Sequence, residues 1–281
     1  MNFSNIIEEI AKNDPEVYGK LDSRRSAMKN FFRFTGKASI AALPLAVGGM
    51  FKKAYAGGES TLIIDTLNFA LTLEYIESEF YKQAVASGII PNATALGALT
   101  TIRDHEIAHV AFLRSVIMSL GGTPVTYTAA SFDFTAHGTF PTVFTDYGVM
   151  LAVAQTFEDT GVRAYKGQAA NVYESNVVLR AALRIHSVEA RHAAHVREMR
   201  RRTGLLVPPG TLLQPWITLN QSGIASPAVQ ASYNGEELTT QAGINIVNIN
   251  GFAIAATEAS EAFDEPLSKE QVVTIVTPFF A

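Results

Sequence analysis

Two short pairs in this sequence have the residue types and spacing of metal chemistry. Glu106 and His109, and again Glu189 and His192, stand three residues apart. On a helix each pair lies on one face, one turn apart, so both side chains can reach a single ion. Two more glutamates, Glu74 and Glu158, precede the pairs by 32 and 31 residues. The chain has no cysteine, which excludes disulfides, zinc ribbons and thiolate-held clusters, so any metal must be held by carboxylates and imidazoles. With 18 Glu and 6 His in 281 residues, chance alone gives about 0.4 Glu-x-x-His pairs, so two matches by themselves are only mildly unusual.

What lifts them above chance is the elements that must carry them. From Ser60 onward, four segments place apolar residues at alternating four- and three-residue steps, the inward stripe of a bundle helix. The first stripe runs through Ile63, Leu67, Ala70, Glu74, Glu77, Tyr81 and Ala84, and the second through Leu99, Ile102, Glu106, His109, Leu113 and Val116. The third takes Tyr147, Leu151, Ala154, Glu158, Gly161, Tyr165 and Ala169, and the fourth Val178, Ala182, Ile185, Glu189, His192, Val196 and Met199. An ionisable group on a core face costs several kcal/mol unless it is paired or bound to a metal. Here every stripe carries at least one glutamate near its middle. The chain therefore reads as two copies of a helical hairpin, each giving Glu on one helix and Glu-x-x-His on the next, and the repeated feature is the ligand set. In each copy a Tyr-Lys pair follows the first glutamate, Tyr81 seven residues after Glu74 and Tyr165 seven after Glu158.

Glu74, Glu106, His109, Glu158, Glu189 and His192 resemble the dinuclear carboxylate site of the ferritin-like superfamily, in which two helices give one Glu each and two give Glu-x-x-His. The resemblance covers about Ser60–Arg202. It implies an all-α, ferritin-like four-helix bundle with turns through Ser87–Thr94 and Ala170–Ser175, and one long crossover between helices 2 and 3, from Gly121 to about Pro141. The stretches LNFALTLEYIESEFY, Glu158-Asp159-Thr160-Gly161, YNGEEL and AFDEPLSKEQVVTIVTPF are similar to an exported ferritin-like family related to plant desiccation-associated proteins. The resemblance implies two Fe ions, with Mn as the alternative, bound terminally by Glu74 and Glu158, bridged by Glu106 and Glu189, and held one each by His109 and His192. Oxygen or hydrogen peroxide is then the expected co-reactant.

Charge divides the chain. Residues 1–56 carry nine Lys+Arg and five Asp+Glu, a net of +4, and the remaining 225 carry 13 against 21, a net of −8. An acidic body repels phosphate backbones, so no nucleic-acid partner is expected. Ser23-Arg24-Arg25-Ser26-Ala27-Met28-Lys29 places paired arginines ahead of the apolar stretch Ala38–Phe51, which is too short to span a membrane. Ala54-Tyr55-Ala56 follows as a small-x-small cleavage site. This arrangement resembles a twin-arginine signal, and implies the twin-arginine translocase as a partner and a periplasmic or otherwise exported protein. The alternative is a cytosolic N-terminal arm. The chain thus divides into a signal region (1–56), the bundle (57–203) and a C-terminal elaboration (204–281). In the elaboration Pro208-Pro209, Asn-Gly and Ile-Val alternation predict loops and short strands. Ser268 with Gln271 predicts a capping box that opens a short final helix.

Several residues near the stripes admit two roles. Tyr81 and Tyr165 could hydrogen-bond the site or take up a radical during oxidation, or pack with satisfied hydroxyls. Glu77, whose counterpart in the repeat is Gly161, could be an extra ligand, pair with an arginine or face a polar pocket. Asp104, His105 and His186 flank the ligands, where a hydrogen bond to a liganding histidine would be useful, but helix phase turns His105 away from the stripe. His195 is expected to be exposed or structural, and His137 incidental. Arg180, Arg184, Arg191, Arg197 and Arg200–Arg202 are expected to form a solvated face and to favour the helix C-terminus. Non-enzymatic metal binding or envelope protection under stress, and peroxide removal by a di-manganese enzyme, stand as alternatives, and homo-oligomerisation is left open.

Overall fold

The structure, a computed structural model, describes residues 61–281. The expected export segment, with its arginine pair and the Ala54–Ala56 cleavage site, lies outside those residues. Four long helices dominate: α1 (Thr61–Ala86), α2 (Ala93–Ser119), α3 (Tyr147–Gln168) and α4 (Asn176–Thr203). They form the expected all-α bundle, α1 with α2 and α3 with α4 as hairpins. Among the described residues no helix is long and apolar enough to cross a membrane.

Side chains at the turns set where the helices begin. Asn92 accepts from Ala95 N at 2.9 Å, Asp146 from Gly148 N at 2.8 Å and Val149 N at 3.0 Å, and Ser175 from Val178 N at 3.2 Å. Each satisfies amides that a helix N-terminus leaves without partners. At the far end of α4, Gly204 takes φ 65°, which a glycine adopts at no steric cost, and its amide closes the helix on Arg200 O. α3 begins at Tyr147, the first residue of its predicted stripe, behind the Asp146 cap, so the crossover runs a few residues past Pro141. Asn68 fastens this crossover to α1, accepting from Val125 N at 2.8 Å and donating to Thr123 O at 3.1 Å.

A chain of aromatic rings joins crossover, bundle and C-terminus. Phe80 meets Phe134 at 5.4 Å and Phe157 at 5.2 Å, and Phe157 meets Phe279 at 4.7 Å, all edge-to-face. The C-terminal region has one two-stranded ladder, β1 (Thr240–Gln241) with β2 (Ile244–Asn245), and two helices, α5 (Ala256–Ser260) and α6 (Lys269–Val276). The Ser268–Gln271 capping box opens α6 as its sequence predicts. The short α5 has no side-chain cap and no sequence signal announced it. Before α6 the chain lies directly on α3: Leu267 N donates to Arg163 O at 3.1 Å, and a Cβ on residue 167 would sit 2.0 Å from Leu267 O. Gly167 is what permits that approach.

Candidate metal centre

The bundle brings Glu74 (α1), Glu106 and His109 (α2), Glu158 (α3), and Glu189 and His192 (α4) to one place in the core. They form two overlapping groups, Glu74, Glu106, His109 and Glu189 in one and Glu106, Glu158, Glu189 and His192 in the other. In each group one donor atom per residue lies within 4.8 Å of all the rest. All four carboxylates have no solvent exposure.

The atoms divide in a regular way. His109 Nδ1 lies 3.0 Å from Glu74 Oε2, 3.0 Å from Glu106 Oε2 and 3.2 Å from Glu189 Oε1. His192 Nδ1 lies 2.9 Å from Glu106 Oε1, 3.5 Å from Glu158 Oε2 and 4.0 Å from Glu189 Oε2. Glu106 and Glu189 thus turn one oxygen to each imidazole, whereas Glu74 and Glu158 each turn one oxygen inward to a single imidazole. Their other oxygens are held by tyrosines: Tyr81 donates to Glu158 Oε1 at 2.6 Å, and Tyr165 donates to Glu74 Oε1. The tyrosines are crossed between the halves. Seven residues are two helical turns, about 10.5 Å, so neither tyrosine reaches the glutamate of its own helix. The close packing of α1 and α3 supplies the partner instead.

Much of this cluster is unsatisfied by the protein. Glu106 Oε1, Glu158 Oε2, both oxygens of Glu189 and His192 Nδ1 are buried and make no hydrogen bond, because even the 2.9 Å approach of His192 Nδ1 to Glu106 Oε1 lacks the angles of one. Buried polar atoms are paired in the great majority of cases, and a group of orphans facing one another calls for a missing partner. Electrostatics agrees. Burial pushes Glu189 well above its ordinary range, with Glu106 and Glu74 adding repulsion, and pushes Glu106 up to about 7. His192 rises to about 11: burial opposes its charge, but Glu158 and Glu106 outweigh burial. His109 moves the same way against burial through Glu74, Glu106 and Glu189. Burial and then the neighbouring carboxylates keep both tyrosines protonated well above their usual range. An excess of buried carboxylate beside two imidazoles is an environment short of cations.

The remaining sequence candidates separate cleanly. Glu77 is buried but belongs to neither group. Among the described residues no arginine pairs with it. It faces a small space lined by Leu73, Ile76, Phe157, Thr160 and Gly161, and a Cβ on residue 161 would stand 3.1 Å from its Oε1. Burial first, then Glu189, Glu158, Glu106 and Glu74, hold its carboxyl protonated far above the ordinary range. Asp104 pairs with Arg103 at 2.7 Å, and His137 lies on the crossover surface, 3.5 Å from Asp133. His195 is exposed and His186 is half-buried outside the cluster. His105 differs from its expectation. Its Nδ1 lies 2.9 Å from His192 Nε2, because α2 and α4 approach closely enough for an off-stripe residue to reach across.

The arginines of α4 also require a correction. Arg180, Arg184, Arg191, Arg201 and Arg202 are exposed as expected, but Arg197 and Arg200 are buried. Arg197 binds Asp159 through Nε at 2.9 Å and Nη2 at 2.6 Å, and Tyr233 OH donates to the same carboxylate at 2.8 Å. Arg200 donates to Gln155 Oε1 and, at 2.8 Å, to Gly223 O. Arg163 meets Glu236 at 2.6 Å. From the sequence Arg197 and Arg200 read only as surface charge, and Asp159, Tyr233 and Glu236 entered only within stretches that carry the family resemblance. The visible signal was Asp159 beside Glu158, two adjacent acids midway along a segment whose first half is apolar from Val149 to Ala154.

Residues 63–202 match the family model described as a ferritin-like domain. That stretch, about half the chain, holds almost all of α1, nearly the whole of α4, and all six clustered residues, and it is a ferritin-like domain. No curated protein matches the sequence.

Proposed function

We propose that this protein is an exported metalloprotein whose ferritin-like bundle holds two transition-metal ions, iron in preference to manganese, for oxidation chemistry with oxygen or hydrogen peroxide. One observation carries the reading: buried donor atoms without hydrogen-bond partners converge in two groups that share Glu106 and Glu189. Glu74 and His109 would hold one ion, Glu158 and His192 the other, with Glu106 and Glu189 between them. Four carboxylates and two neutral imidazoles carry a charge of −4, which two divalent ions would neutralise. Oxygen and nitrogen donors without thiolate suit iron or manganese. Two adjacent ions, when bound, supply paired redox steps toward oxygen or peroxide.

The chain's own residues set the conditions for that chemistry. Tyr81 and Tyr165 pin one oxygen of Glu158 and of Glu74, so that the other oxygen points inward. Their protonated hydroxyls keep a donor against each terminal carboxylate and stand close enough to pass a proton or an electron. An apolar cavity bounded by Leu73, Phe112, Leu113, Val178 and Tyr165 gives a small apolar reactant a place beside Tyr165, the residue that holds Glu74, while disfavouring water. Export rests on the Arg24-Arg25 segment and is supported by the twin-arginine route's acceptance of folded cargo, which allows metal loading before transport.

Elemental analysis of the protein recovered from its exported compartment tests the reading. The expected result is about two Fe or Mn per chain, as the carboxylate ligand set implies, lost in Glu106→Ala and in Glu189→Ala. Consumption of Fe(II) with oxygen, or of hydrogen peroxide, should follow. Absence of metal even after anaerobic reconstitution with Fe(II) or Mn(II) would overturn the metal centre. Bound metal without turnover would leave a non-enzymatic metal-binding protein, and cell fractionation that finds the chain in the cytosol would remove the export part alone.

A further inference from the structure

The ligand set is duplicated, but its surroundings are not. His192 turns Nδ1 to the carboxylates and Nε2 outward, where it meets Nδ1 of His105 at 2.9 Å. The two rings lie 15° from coplanar with centroids 5.1 Å apart. Stacked rings could not bring two nitrogens so close at that centroid distance, so the imidazoles meet edge to edge, as a direct N–H···N hydrogen bond requires. His105 stands immediately before Glu106. The residue in the same place before Glu189 is Val188, whose side chain accepts no hydrogen bond. His109 therefore lacks the partner that His192 has. His105 is itself exposed, so it links a buried imidazole to the surface.

Resting on the two-ion reading above, we infer that His105 is a positioning residue that makes the two halves of the centre unequal. By accepting the Nε2–H of His192 it holds the Nδ1 lone pair toward Glu106 and Glu158, and the ion on the His192 side binds more tightly than the ion on the His109 side. A hydrogen bond at the outer nitrogen of a liganding histidine fixes both its tautomer and its ring orientation, and its loss typically costs about 10–100-fold in metal affinity. Val188 offers nothing comparable to His109, so the first ion to bind settles beside His192.

Two measurements test this, one of them free of metal. Titration of metal-free protein with Mn(II), followed by its paramagnetic resonance, should resolve a tighter and a weaker ion. In His105→Phe, which keeps a ring but removes the acceptor, the tighter ion should weaken by about 10–100-fold while the weaker one is unchanged. His105→Asn should restore most of the loss, because asparagine Oδ1 takes the place of Nδ1, and a purely structural role would not give this rescue. In metal-free protein, ¹⁵N spectra of labelled histidines should show His105 protonated at Nε2, with Nδ1 as acceptor, and a shifted His192 signal in His105→Phe. Unchanged affinities of both ions in His105→Phe, or His105 protonated at Nδ1, would overturn the inference. Failure of wild-type protein to bind any ion would overturn the two-ion reading and the inequality together. The ¹⁵N result would still decide whether His105 orients His192.

Discussion

Glu158 and Asp159 are neighbours on α3, both buried, yet they belong to opposite kinds of polar interior. Glu158 faces a cluster in which four carboxylates meet two imidazoles and five buried atoms go without a hydrogen bond. Asp159 faces α4 and the C-terminal region, where Arg197 binds it at two positions and Tyr233 adds a third bond. In that second cluster acids stand against guanidinium groups, and backbone carbonyls, among them those of Ser222, Gly223 and Asn234, accept from further donors. Arg200 Nε, Ser232 Oγ and Glu236 Oε2 are its few unpaired atoms. A balanced buried network fastens one part of a chain to another. A buried network with surplus negative charge costs free energy by itself and is sustained by a cation.

If that contrast is right, substitutions in the two clusters move stability in opposite directions. Asp159→Ala leaves Arg197 buried without its partner and should destabilise the fold by about 3–5 kcal/mol, read as a lower midpoint in urea denaturation. A change below about 1 kcal/mol would show that the network is not a fastening. Next in size, Gly167→Ala places a methyl against Leu267 O and should cost about 1–3 kcal/mol. Protease cleavage near residues 264–268 should rise with it, as the C-terminal region lifts from α3.

The opposite sign is expected at Glu189. Its carboxyl is held far above the ordinary value in the folded metal-free protein, so in the unfolded chain it gives up its proton at lower pH. The unfolded state is then favoured as pH rises above about 4.5, and Glu189 costs stability at neutral pH. Glu189→Gln should raise the stability of metal-free protein by about 1 kcal/mol at pH 7 and flatten its decline with pH, while reducing metal uptake. Destabilisation of the metal-free protein by this change would contradict the charge-surplus account. Smallest of all, Glu77→Gln replaces a carboxyl already kept protonated by an amide of the same shape. Calorimetry should find a change of about 0.5 kcal/mol or less, with metal content intact. Loss of an ion would make Glu77 a ligand.

The bundle and its six clustered residues were legible in sequence because both depend on local periodicity. A glutamate that repeats in phase with leucine and alanine must point where they point, and Glu-x-x-His fixes two donors on one face. Features that depend on packing between helices were not legible. The crossing of Tyr81 to Glu158 and Tyr165 to Glu74 requires the placement of α1 against α3. The His105–His192 bond requires the close approach of α2 and α4, which defeats an argument from helix phase alone. Arg197 and Arg200 read as surface charge because Asp159, Gln155, Tyr233 and the carbonyl of residue 223, which surround them, are distant in sequence. The C-terminal region was readable only where a capping box marked it, at Ser268–Gln271, since loops held by long-range carbonyl contacts leave no periodic trace.

The crossed tyrosines bear on how such a centre can be assembled at all. Each hairpin supplies half of the donors and also the hydroxyl that steadies the other half's glutamate, so what the first does for the second the second does for the first. That reciprocity is the property of a contact between identical subunits about a two-fold axis. A chain with a single hairpin would have to find a copy of itself to complete the centre, and its yield would fall with dilution. Here the stretch between α2 and α3 turns that encounter into an event within one molecule, at an effective concentration set by the connection rather than by expression level. The tether also frees the two halves to differ, which a symmetric pair could not do, and a histidine can stand where its counterpart is valine.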